Sequence, residues 1–486
     1  MKKLILMLLL IPGFTAIIYS QTSEDALRYS RIFYNGTSRF MGMSGAFGAV
    51  GADFSILATN PAGIGIYQSS EMSLTFAPMV NYSKSNYYGT TSTDNQMNFA
   101  MGNLGFIFTI KPYKKNSGGL KNFNFGFGIN RQNDFNSRTY IEGENPKSSM
   151  MQSYVNVLND LQVPQDEVEI KYPFDIGLAY GSNLVYFDSA SNKYLCDARY
   201  GGVFQSKIIN SSGSINELDF SFGGNINDKL FFGMTIGVPF IRYFETSLYQ
   251  EIDLADTIRE FNYLKYNYAL QTNGTGVNFK AGLIYKPFEW FRVGVSIHTP
   301  TWYPNMHDEW FSSIESNFTN SSWNTIQYSP IGNYNYQLIT PFRAMGSIAF
   351  IVGQYGLFSA DYEYVNYSQG RFTSSGESYQ DINREIQDSY QSWGNIRFGT
   401  EWRIQNLRIR GGFAYFSNPY KNGINNSERY QISGGLGYRG RHFFADVSYV
   451  WNSMKADYYL YDPALVAPAH ITQYTSSVLT TIGFRF

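Results

Sequence analysis

The chain is poor in the residues that soluble enzymes commonly use for catalysis and metal binding. Its 486 residues include one cysteine, four histidines and only 15% charged residues. The single cysteine, Cys196, excludes an internal disulfide and cannot build a thiolate metal site alone. No histidine has a second His or Cys at ligand spacing, the four being His298, His307, His442 and His470.

Other chemical signatures are missing as well. No G-x-S-x-G nucleophile motif occurs, and the nearest acid–base cluster, His307-Asp308-Glu309, lies beside two tryptophans, where we expect a solvated rim patch. A formal net charge of −1 gives no support for nucleic-acid binding. We therefore expect no catalytic residues, no metal, no cofactor and no nucleic-acid partner.

Long apolar runs are absent beyond the first residues. Lys2 and Lys3 precede an apolar run over 4–18, and a small residue, Ser20, follows it. This order predicts a signal peptide over 1–20. An anchor helix is the alternative, but Pro12 and Gly13 interrupt a run already shorter than the ~20 residues that a spanning helix needs. Any membrane role must then be carried by strands.

Aromatic residues are abundant, with 40 Tyr and 39 Phe, and they alternate with polar residues from Glu71 onward. Runs of ten or more alternating residues separated by turns predict β-strands. We predict fourteen strands, near 71–84, 96–111, 121–135, 203–224, 229–252, 262–287, 291–314, 334–352, 355–372, 391–405, 407–418, 428–440, 442–461 and 471–486. Six tight turns and seven longer loops alternate along the chain, as in an even-stranded outer-membrane barrel with periplasmic termini.

Alternate residues of a strand point to opposite faces, so the sequence predicts which side meets lipid. In the strand from His442, Phe443, Val447 and Tyr449 share one face, while Asp446 and Ser448 lie on the other. An Arg at the lipid midplane would cost about 2–4 kcal/mol, which favours charges on the inner face. A soluble sandwich would show the same alternation. The strand length, the signal peptide and the turn asymmetry favour the membrane.

The last strand ends on a terminal aromatic residue. Ile482, Phe484 and Phe486 share its apolar parity. This end resembles the signal that outer-membrane assembly machinery recognises. We expect that machinery, together with outer-membrane lipid and lipopolysaccharide, among the partners.

A segment rich in small residues precedes the first strand. Gly42, Gly45, Gly48 and Gly51 recur every third residue, and Asp53 and the turn Asn60-Pro61-Ala62-Gly63 follow. A phosphate-binding loop is disfavoured, because no strand precedes the glycines and no Lys-Ser/Thr follows them. Small residues allow backbone to pack against backbone. We therefore predict a compact plug over 21–70, inside a barrel formed by 71–486.

The run GMSGAFGAVGADFSILATNPAGIG at 42–65 resembles the N-terminal signature of the FadL/TodX family of outer-membrane transporters. The resemblance implies an all-β fold, a 14-stranded antiparallel transmembrane barrel with an N-terminal plug, or hatch, in its lumen. It further implies that Asn60, Pro61 and Ala62 belong to the hatch, near a kink in the third strand. That kink would fall at Gly126 and Gly128.

The resemblance also implies the function. We expect passive uptake of hydrophobic compounds such as long-chain fatty acids across the outer membrane of a Gram-negative bacterium, with release sideways into that membrane. A polar pore or purely structural barrel is the first alternative, and a barrel enzyme is the second.

Helical spacing occurs in two of the predicted loops. The largest loop, 136–200, has Met150, Met151, Tyr154, Val155, Leu158 and Leu161 at helical spacing, and a second stretch has Leu254, Ile258 and Phe261. These stretches could form an outer groove that captures apolar ligand. Equally, they could cap the barrel and bury their apolar faces against one another.

Overall fold

The computed structural model describes residues 22–112, 119–198, 201–374, 378–421, 423 and 425–486. The predicted signal peptide therefore lies outside the described residues. The described chain forms a closed antiparallel barrel of fourteen strands, as the sequence predicts. Closure is made by the first and last strands, where Glu71 lies opposite Arg485 and Asn86 lies opposite His470.

Alternating sequences form strands that are continuous in some places and interrupted in others. The fourteen strands are β1 Glu71–Tyr87, β2 Thr90–Ile110, β3 Leu120–Asp134 continued by Ser137–Asn145, β4 Val203–Ile226, β5 Leu230–Ile252, β6 Phe261–Phe288, β7 Phe291–His298 with Trp302–Phe318, β8 Thr325–Tyr328 with Gly332–Ile339 and Arg343–Val352, β9 Gly356–Asn366 with Arg371–Thr373, β10 Ser392–Ile404, β11 Leu407–Phe416, β12 Arg429–Arg439, β13 Phe443–Tyr458 and β14 Ala469–Arg485. Each pairs with its neighbours along the chain. All fourteen predicted strands are present.

One connection differs from the prediction. Residues 85–95 were expected to form a loop, but β1 and β2 continue to a two-residue turn at Tyr88 and Gly89. Both turn residues have positive φ, 44° and 86°, as a type I′ hairpin turn requires. The polar residues of this hairpin show no apolar alternation, and that alternation was the signal on which the prediction depended.

The parity prediction is confirmed. Asp446 and Ser448 are 1% and 2% exposed inside the barrel, whereas Val447 and Tyr449 are 48% and 49% exposed outside. Outward aromatic rings contact one another near both ends of the wall, for example Tyr82 with Tyr474 and Phe443 with Phe484. Two aromatic rows bounding an apolar band are typical of a barrel in a lipid bilayer.

The helices lie inside the barrel or over its long-loop end. They are α1 Ser23–Ser30, α2 Ser38–Met41, α3 Met150–Asp160, α4 Val168–Lys171, α5 Ile176–Gly181 and α6 Gln380–Ser389, with short 3-10 turns at Phe54–Ala58, Pro61–Ile66, Gln165–Glu167, Ser321–Trp323 and Tyr367–Gln369. None of these helices is long and apolar enough to cross a membrane. The helix expected around Leu254 and Ile258 does not form, since 253–260 is irregular and Phe261 begins β6.

The large loop is a cap on the barrel. We call residues 146–198 the cap. Met150, Met151, Val155 and Leu158 of α3 are buried in one cluster with residues at the loop ends of β1, β5, β6, β7 and β14. The carboxylate of Glu251 on β5 accepts hydrogen bonds from the Ser149 hydroxyl and the Met150 N–H. The apolar face of α3 is therefore buried against the barrel, which favours a cap over an open capture groove.

Candidate functional site

The N-terminal segment, residues 22–67, lies inside the barrel. Most of its side chains are buried, including Phe40, Phe47, Phe54, Ile56 and Ile64. Polar side chains from many strands bind its backbone or side chains: Asn124 of β3, Thr235 of β5, Arg292, Ser296 and His298 of β7, Arg343 of β8, Asp361 of β9, Glu401 of β10, Ser433 of β12, Ser448 of β13 and Thr481 of β14. The wall therefore holds this segment from all around the lumen.

Two of the predicted hatch glycines allow very close packing. A Cβ at Gly48 would lie 1.9 Å from the Ser347 hydroxyl of β8, and one at Gly63 would lie 2.9 Å from Gly51 Cα. The N–H groups of Phe47 and Gly48 both donate to Asp361 Oδ2, at 3.0 and 2.9 Å. Any side chain at position 48 would force the segment away from its carboxylate acceptor.

The other two glycines lie where the segment turns beside β10 to β13. A Cβ at Gly42 would approach Ser38 O at 3.0 Å. Gly45 has φ +78°, a left-handed conformation that costs glycine little. A Cβ at Gly45 would lie 3.2 Å from the Phe40 ring, so a side chain there would be tightly packed as well as strained.

Asp53 organises the middle of the segment. Its carboxylate accepts the Thr37 hydroxyl at 2.8 Å and the Ser55 N–H at 3.0 Å, and so caps the turn Phe54–Ala58. Burial raises the pKa of Asp53 above its usual value, and nearby Arg39 opposes this shift. The carboxylate therefore serves the internal structure of the segment.

The Asn60-Pro61-Ala62-Gly63 turn contacts β5, β6 and β7. Asn60 donates from Nδ2 to Gly48 O at 2.6 Å and accepts the Ala62 N–H at 3.2 Å. Pro61 O lies 2.1 Å from where a Cβ of Gly233 on β5 would be. Ala62 is buried against Phe231 and Ile284. The turn is thus held against wall positions that have no side chain.

The third strand separates from the second partway along the wall. β2 and β3 pair only from Asn103 opposite Asn130 to Ile110 opposite Phe123. Beyond that point β3 has a register shift between Arg131 and Asn133 and breaks at 135–136. The backbone ladder is therefore open between 96–102 of β2 and 131–136 of β3, an opening that we call the window.

Gly126 and Gly128 were expected to mark the kink, but the strand is regular there. Both are in register with β2 and with β4, and the irregularity begins only after Asn130. A Cβ at Gly126 would meet Leu57 at 2.8 Å, and one at Gly128 would meet Phe54 at 2.5 Å. The absent side chains make room for the N-terminal segment.

The N-terminal segment lies on the inner side of the window. The N–H groups of Phe33 and Asn35 donate to Gln132 O and Arg131 O, both at 2.9 Å. Across the window, Gly36 O lies 2.9 Å from where a Cβ of Gly102 would be. Residues 33–36 thus occupy the edge of β3 that β2 leaves unpaired.

Side chains close the upper part of the window. Ser92 donates to Glu142 at 2.9 Å, and Arg138 forms an ion pair with Asp94 at 2.9 Å. On the outer side, Met97 and Phe99 of β2 are 75% and 70% exposed. The window therefore has an apolar outer rim, and the N-terminal segment forms its inner wall.

A cavity of about 280 Å³ adjoins the window. Part of its lining is apolar, from Met41, Met79, Val450, Met454 and Leu479, and the window residues 133–138 form one side. A compartment that joins apolar walls to a few polar groups is typical of sites for small amphipathic ligands.

Two arginines give the cavity a cationic end. The guanidiniums of Arg31 and Arg429 lie 4.8 and 4.2 Å from the centre of the Phe33 ring. Arg31 binds the Ser427 carbonyl at 2.9 Å, and Arg429 donates to Asn452 at 3.2 Å. Within the described residues, neither arginine forms an ion pair with a carboxylate. Asp134, which also lines the cavity, is paired with Arg131 at 2.7 Å. A buried guanidinium such as that of Arg31, which no carboxylate of the described residues pairs, favours an anionic ligand.

Sequence reasoning missed this cationic end. Arg429 has the inward parity of β12, opposite to outward Tyr430, so the alternation could have placed it in the lumen. Nothing in the sequence indicates that Arg31 and Arg429 share one aromatic ring. That relationship depends on how the segment packs in the barrel.

The other predicted residues lie away from this site. Ile482, Phe484 and Phe486 face outward at 42%, 52% and 69% exposure, and the Phe486 N–H donates to Ser70 O at 3.1 Å. His307 contacts Asn335 on the outer face of β7, while Asp308 is buried on the inner face. Adjacent residues of one strand diverge, so His307-Asp308-Glu309 does not converge into a cluster.

Comparisons with known proteins give the fold a precedent. No protein-family model matches the sequence, and no curated protein matches it either. Among solved structures, a Pseudomonas aeruginosa FadL homologue is similar with TM-score 0.55 and 13% identity, over 93% of this chain and 98% of its own. The Pseudomonas putida toluene transporter TodX is similar with TM-score 0.53 and 11% identity, over 93% of this chain and 99% of its own.

A third structure agrees with these two. The Ralstonia pickettii toluene transporter TbuX gives TM-score 0.51 and 14% identity, over 93% of this chain and 99% of its own. Identities this low establish the architecture alone. In its fourteen-stranded barrel, this chain has the fold of FadL and TodX.

Proposed function

We propose that the chain is a passive transporter of the Gram-negative outer membrane. It takes up hydrophobic compounds such as long-chain fatty acids and releases them sideways into the membrane. The observation that carries the proposal is the window between β2 and β3, which borders the cavity and whose inner side is covered by residues 33–36. The FadL and toluene-transporter fold supports the same function.

A sideways route suits an oily ligand. Each CH₂ group forced into water costs about 0.8 kcal/mol, so a water-filled pore helps a long acyl chain little. An opening at the level of Met97 and Phe99 would let the acyl chain of the ligand pass from the apolar lining of the cavity to the lipid. The enclosed N-terminal segment acts as the hatch, over 21–70, and restricts the leak of water and ions.

The cationic end of the cavity favours ligands with a carboxylate. Arg31 and Arg429 both line the cavity, and a hydrogen bond to a charged group contributes about 1.5–3 kcal/mol. Met79, Val450 and Leu479 provide contacts for an acyl chain. A neutral hydrocarbon would use only the apolar part.

Targeting signals complete the proposal. The signal peptide over 1–20 directs export, and the outward row Ile482, Phe484 and Phe486 is recognised by the outer-membrane assembly machinery. Outer-membrane lipid, including lipopolysaccharide, surrounds the apolar band. The protein acts without a catalytic step.

The test compares two labelled ligands in cells with and without the protein. We expect labelled oleate and labelled hexadecane to enter faster when it is present. The double variant Arg31→Gln/Arg429→Gln should lower oleate uptake about tenfold or more and leave hexadecane uptake unchanged. Arg371→Gln, at an exposed position outside the cavity lining, is the matched control.

Each outcome has a distinct meaning. Equal uptake with and without the protein would contradict hydrophobic transport. If the folded double variant takes up both ligands as fast as the wild type, or loses uptake of both to the same extent, the role of the arginines is contradicted. Steady ion conductance of the wild-type protein in planar bilayers would favour a polar pore.

A further inference from the structure

A like-charged pair faces the lumen at the end of the barrel that carries the tight turns. Arg403 of β10 lies directly opposite Arg408 of β11, and both have the inward parity of Glu401 and Arg410. This end is periplasmic in the orientation proposed above. Like charges directly opposite on neighbouring strands are destabilising.

Four further arginines lie near this pair: Arg39 of the N-terminal segment, and Arg292, Arg410 and Arg439 of the wall. Glu401 accepts Arg39 at 3.0 Å, Arg410 at 2.9 Å and Arg403 at 3.4 Å. Asp446 accepts Arg410 at 2.7 Å and Arg439 at 2.6 Å. Among the described residues, Arg292 and Arg408 bind backbone carbonyls alone, those of Val50 and of Gln405 and Leu407.

Positive charge exceeds negative charge in this cluster. The cluster holds six arginines (Arg39, Arg292, Arg403, Arg408, Arg410 and Arg439) and two carboxylates, Glu401 and Asp446, and four of the arginines bind those carboxylates. Asp53 close by is already bonded to Thr37 and Ser55. Counting Asp53, the balance is six positive to three negative charges. Two neighbouring ion pairs leave the balance unchanged: Arg485 with Glu71 at 2.9 Å, and Lys286 with Glu289 at 3.0 Å.

Unused donors accompany the excess charge. In the described part of the chain, Arg292 Nε and Arg410 Nη2 are buried without a hydrogen-bond partner. Arg410 itself is 4% exposed. Buried arginine N–H groups lacking an acceptor are costly, and an oxyanion satisfies such groups with several oxygens at once.

We propose that this basic mouth, formed by the six arginines, binds a phosphate-type oxyanion. The anion is free phosphate or the head group of an anionic phospholipid from the inner leaflet. Arg403, with 35% of its side chain exposed, and Arg408 make the first contacts, since they lie nearest the opening. The site is separate from the cavity at Arg31, and its existence does not depend on transport.

Guanidinium groups suit this ligand. Their planar fork matches phosphate oxygens in bidentate geometry, and they are more weakly hydrated than ammonium groups. A bound oxyanion between Arg403 and Arg408 would replace repulsion with two attractive contacts. Arg403 shares Glu401 with two other arginines, and Arg408 has no ion pair among the described residues, so the pair has too little negative charge for a purely structural role.

The experiment uses the full-length protein purified in a neutral detergent. The midpoint temperature for loss of the fast-migrating folded form on gels is measured in sodium chloride and in sodium phosphate at equal ionic strength. A second arm compares phosphatidylglycerol with phosphatidylcholine in mixed micelles. The variants are Arg403→Gln/Arg408→Gln and, as a matched control, Arg441→Gln, an exposed arginine of the β12–β13 turn.

We expect phosphate, phosphatidylglycerol or both to raise the midpoint of the wild type and of Arg441→Gln by several degrees. The double variant should gain nothing, and in chloride it should be as stable as the wild type or more stable, because the repulsion is gone. A gain with phosphate identifies the free anion as sufficient, and a gain with the lipid alone identifies the head group. Equal midpoints in all conditions, or an equal gain in the double variant, would overturn the proposal.

Discussion

Asn35 and Arg131 form an antiparallel bridge between the N-terminal segment and β3. The Asn35 N–H donates to Arg131 O at 2.9 Å, at the point where β2 no longer pairs with β3. The barrel wall and the segment inside it thus share one hydrogen-bonded edge. A ligand that leaves through the window must displace residues 33–36.

A disulfide at this bridge should lock the window. Bridged residues have Cα atoms about 4.5–5.5 Å apart, within the range that a disulfide spans. We expect Asn35→Cys/Arg131→Cys to block uptake of labelled oleate when oxidised and to restore it on reduction. The one native cysteine, Cys196, is buried and should not interfere.

The control for the lock is a disulfide elsewhere in the wall. Lys84→Cys/Thr472→Cys joins β1 to β14, where the strands are already paired. Oleate uptake by this control variant should be the same in its oxidised and reduced forms. Unchanged uptake in the oxidised 35/131 variant would contradict exit through the window.

Asp361 should hold the hatch closed. Its carboxylate accepts two backbone N–H groups of the segment, and alanine would leave both buried without an acceptor, at about 1–3 kcal/mol each. We expect Asp361→Ala to raise the ion conductance of the protein in planar bilayers. Asp361→Asn retains one acceptor oxygen and should have a smaller effect. Identical conductance in both folded variants and the wild type would refute this role.

Gly233 should be required for seating the Asn60-Pro61-Ala62 turn. A Cβ there would lie 2.1 Å from Pro61 O, so alanine must push the turn inward. We expect Gly233→Ala to lower the midpoint of thermal unfolding measured by gel mobility. Gly346→Ala is the control, because a Cβ at Gly346 meets nothing within 4 Å. If Gly346→Ala lowers the midpoint as much as Gly233→Ala does, the loss of stability does not come from the contact with Pro61.

The terminal phenylalanine should matter for assembly more than for stability. Phe486→Ser keeps the backbone bond to Ser70, so we expect the folded protein to be as stable as the wild type, with less of it in the outer-membrane fraction. Phe443→Ser removes an equally apolar outward ring from β13, next to Phe484. Equal loss from the membrane in both variants would argue against a terminal signal.

The wall of this barrel could be predicted from sequence because lipid imposes a simple rule. Outward residues such as Val447 and Tyr449 must be apolar, and inward residues such as Asp446 cannot face hydrocarbon. Where a strand leaves the lipid, the rule no longer applies. The β1–β2 hairpin over residues 85–95 was therefore predicted as a loop.

The interior could not be predicted to the same extent. Gly126 and Gly128 were interpreted as weak points of β3, yet they receive Leu57 and Phe54. A missing side chain has the same sequence signature whether the strand bends or a neighbour approaches. The pairing of Arg31 with Arg429 around Phe33 joins residues almost 400 positions apart, and no local pattern encodes it.

The enclosure of the N-terminal segment has a consequence for the order of folding. Residues 22–67 bind the inner face of the barrel from β3 round to β14. The cap covers the long-loop end of the lumen. Such a segment is most simply enclosed while the sheet is still an open ribbon curling around it. The β1–β14 seam would then close last, and the earliest part of the chain to be made would serve as the template on which the later strands assemble.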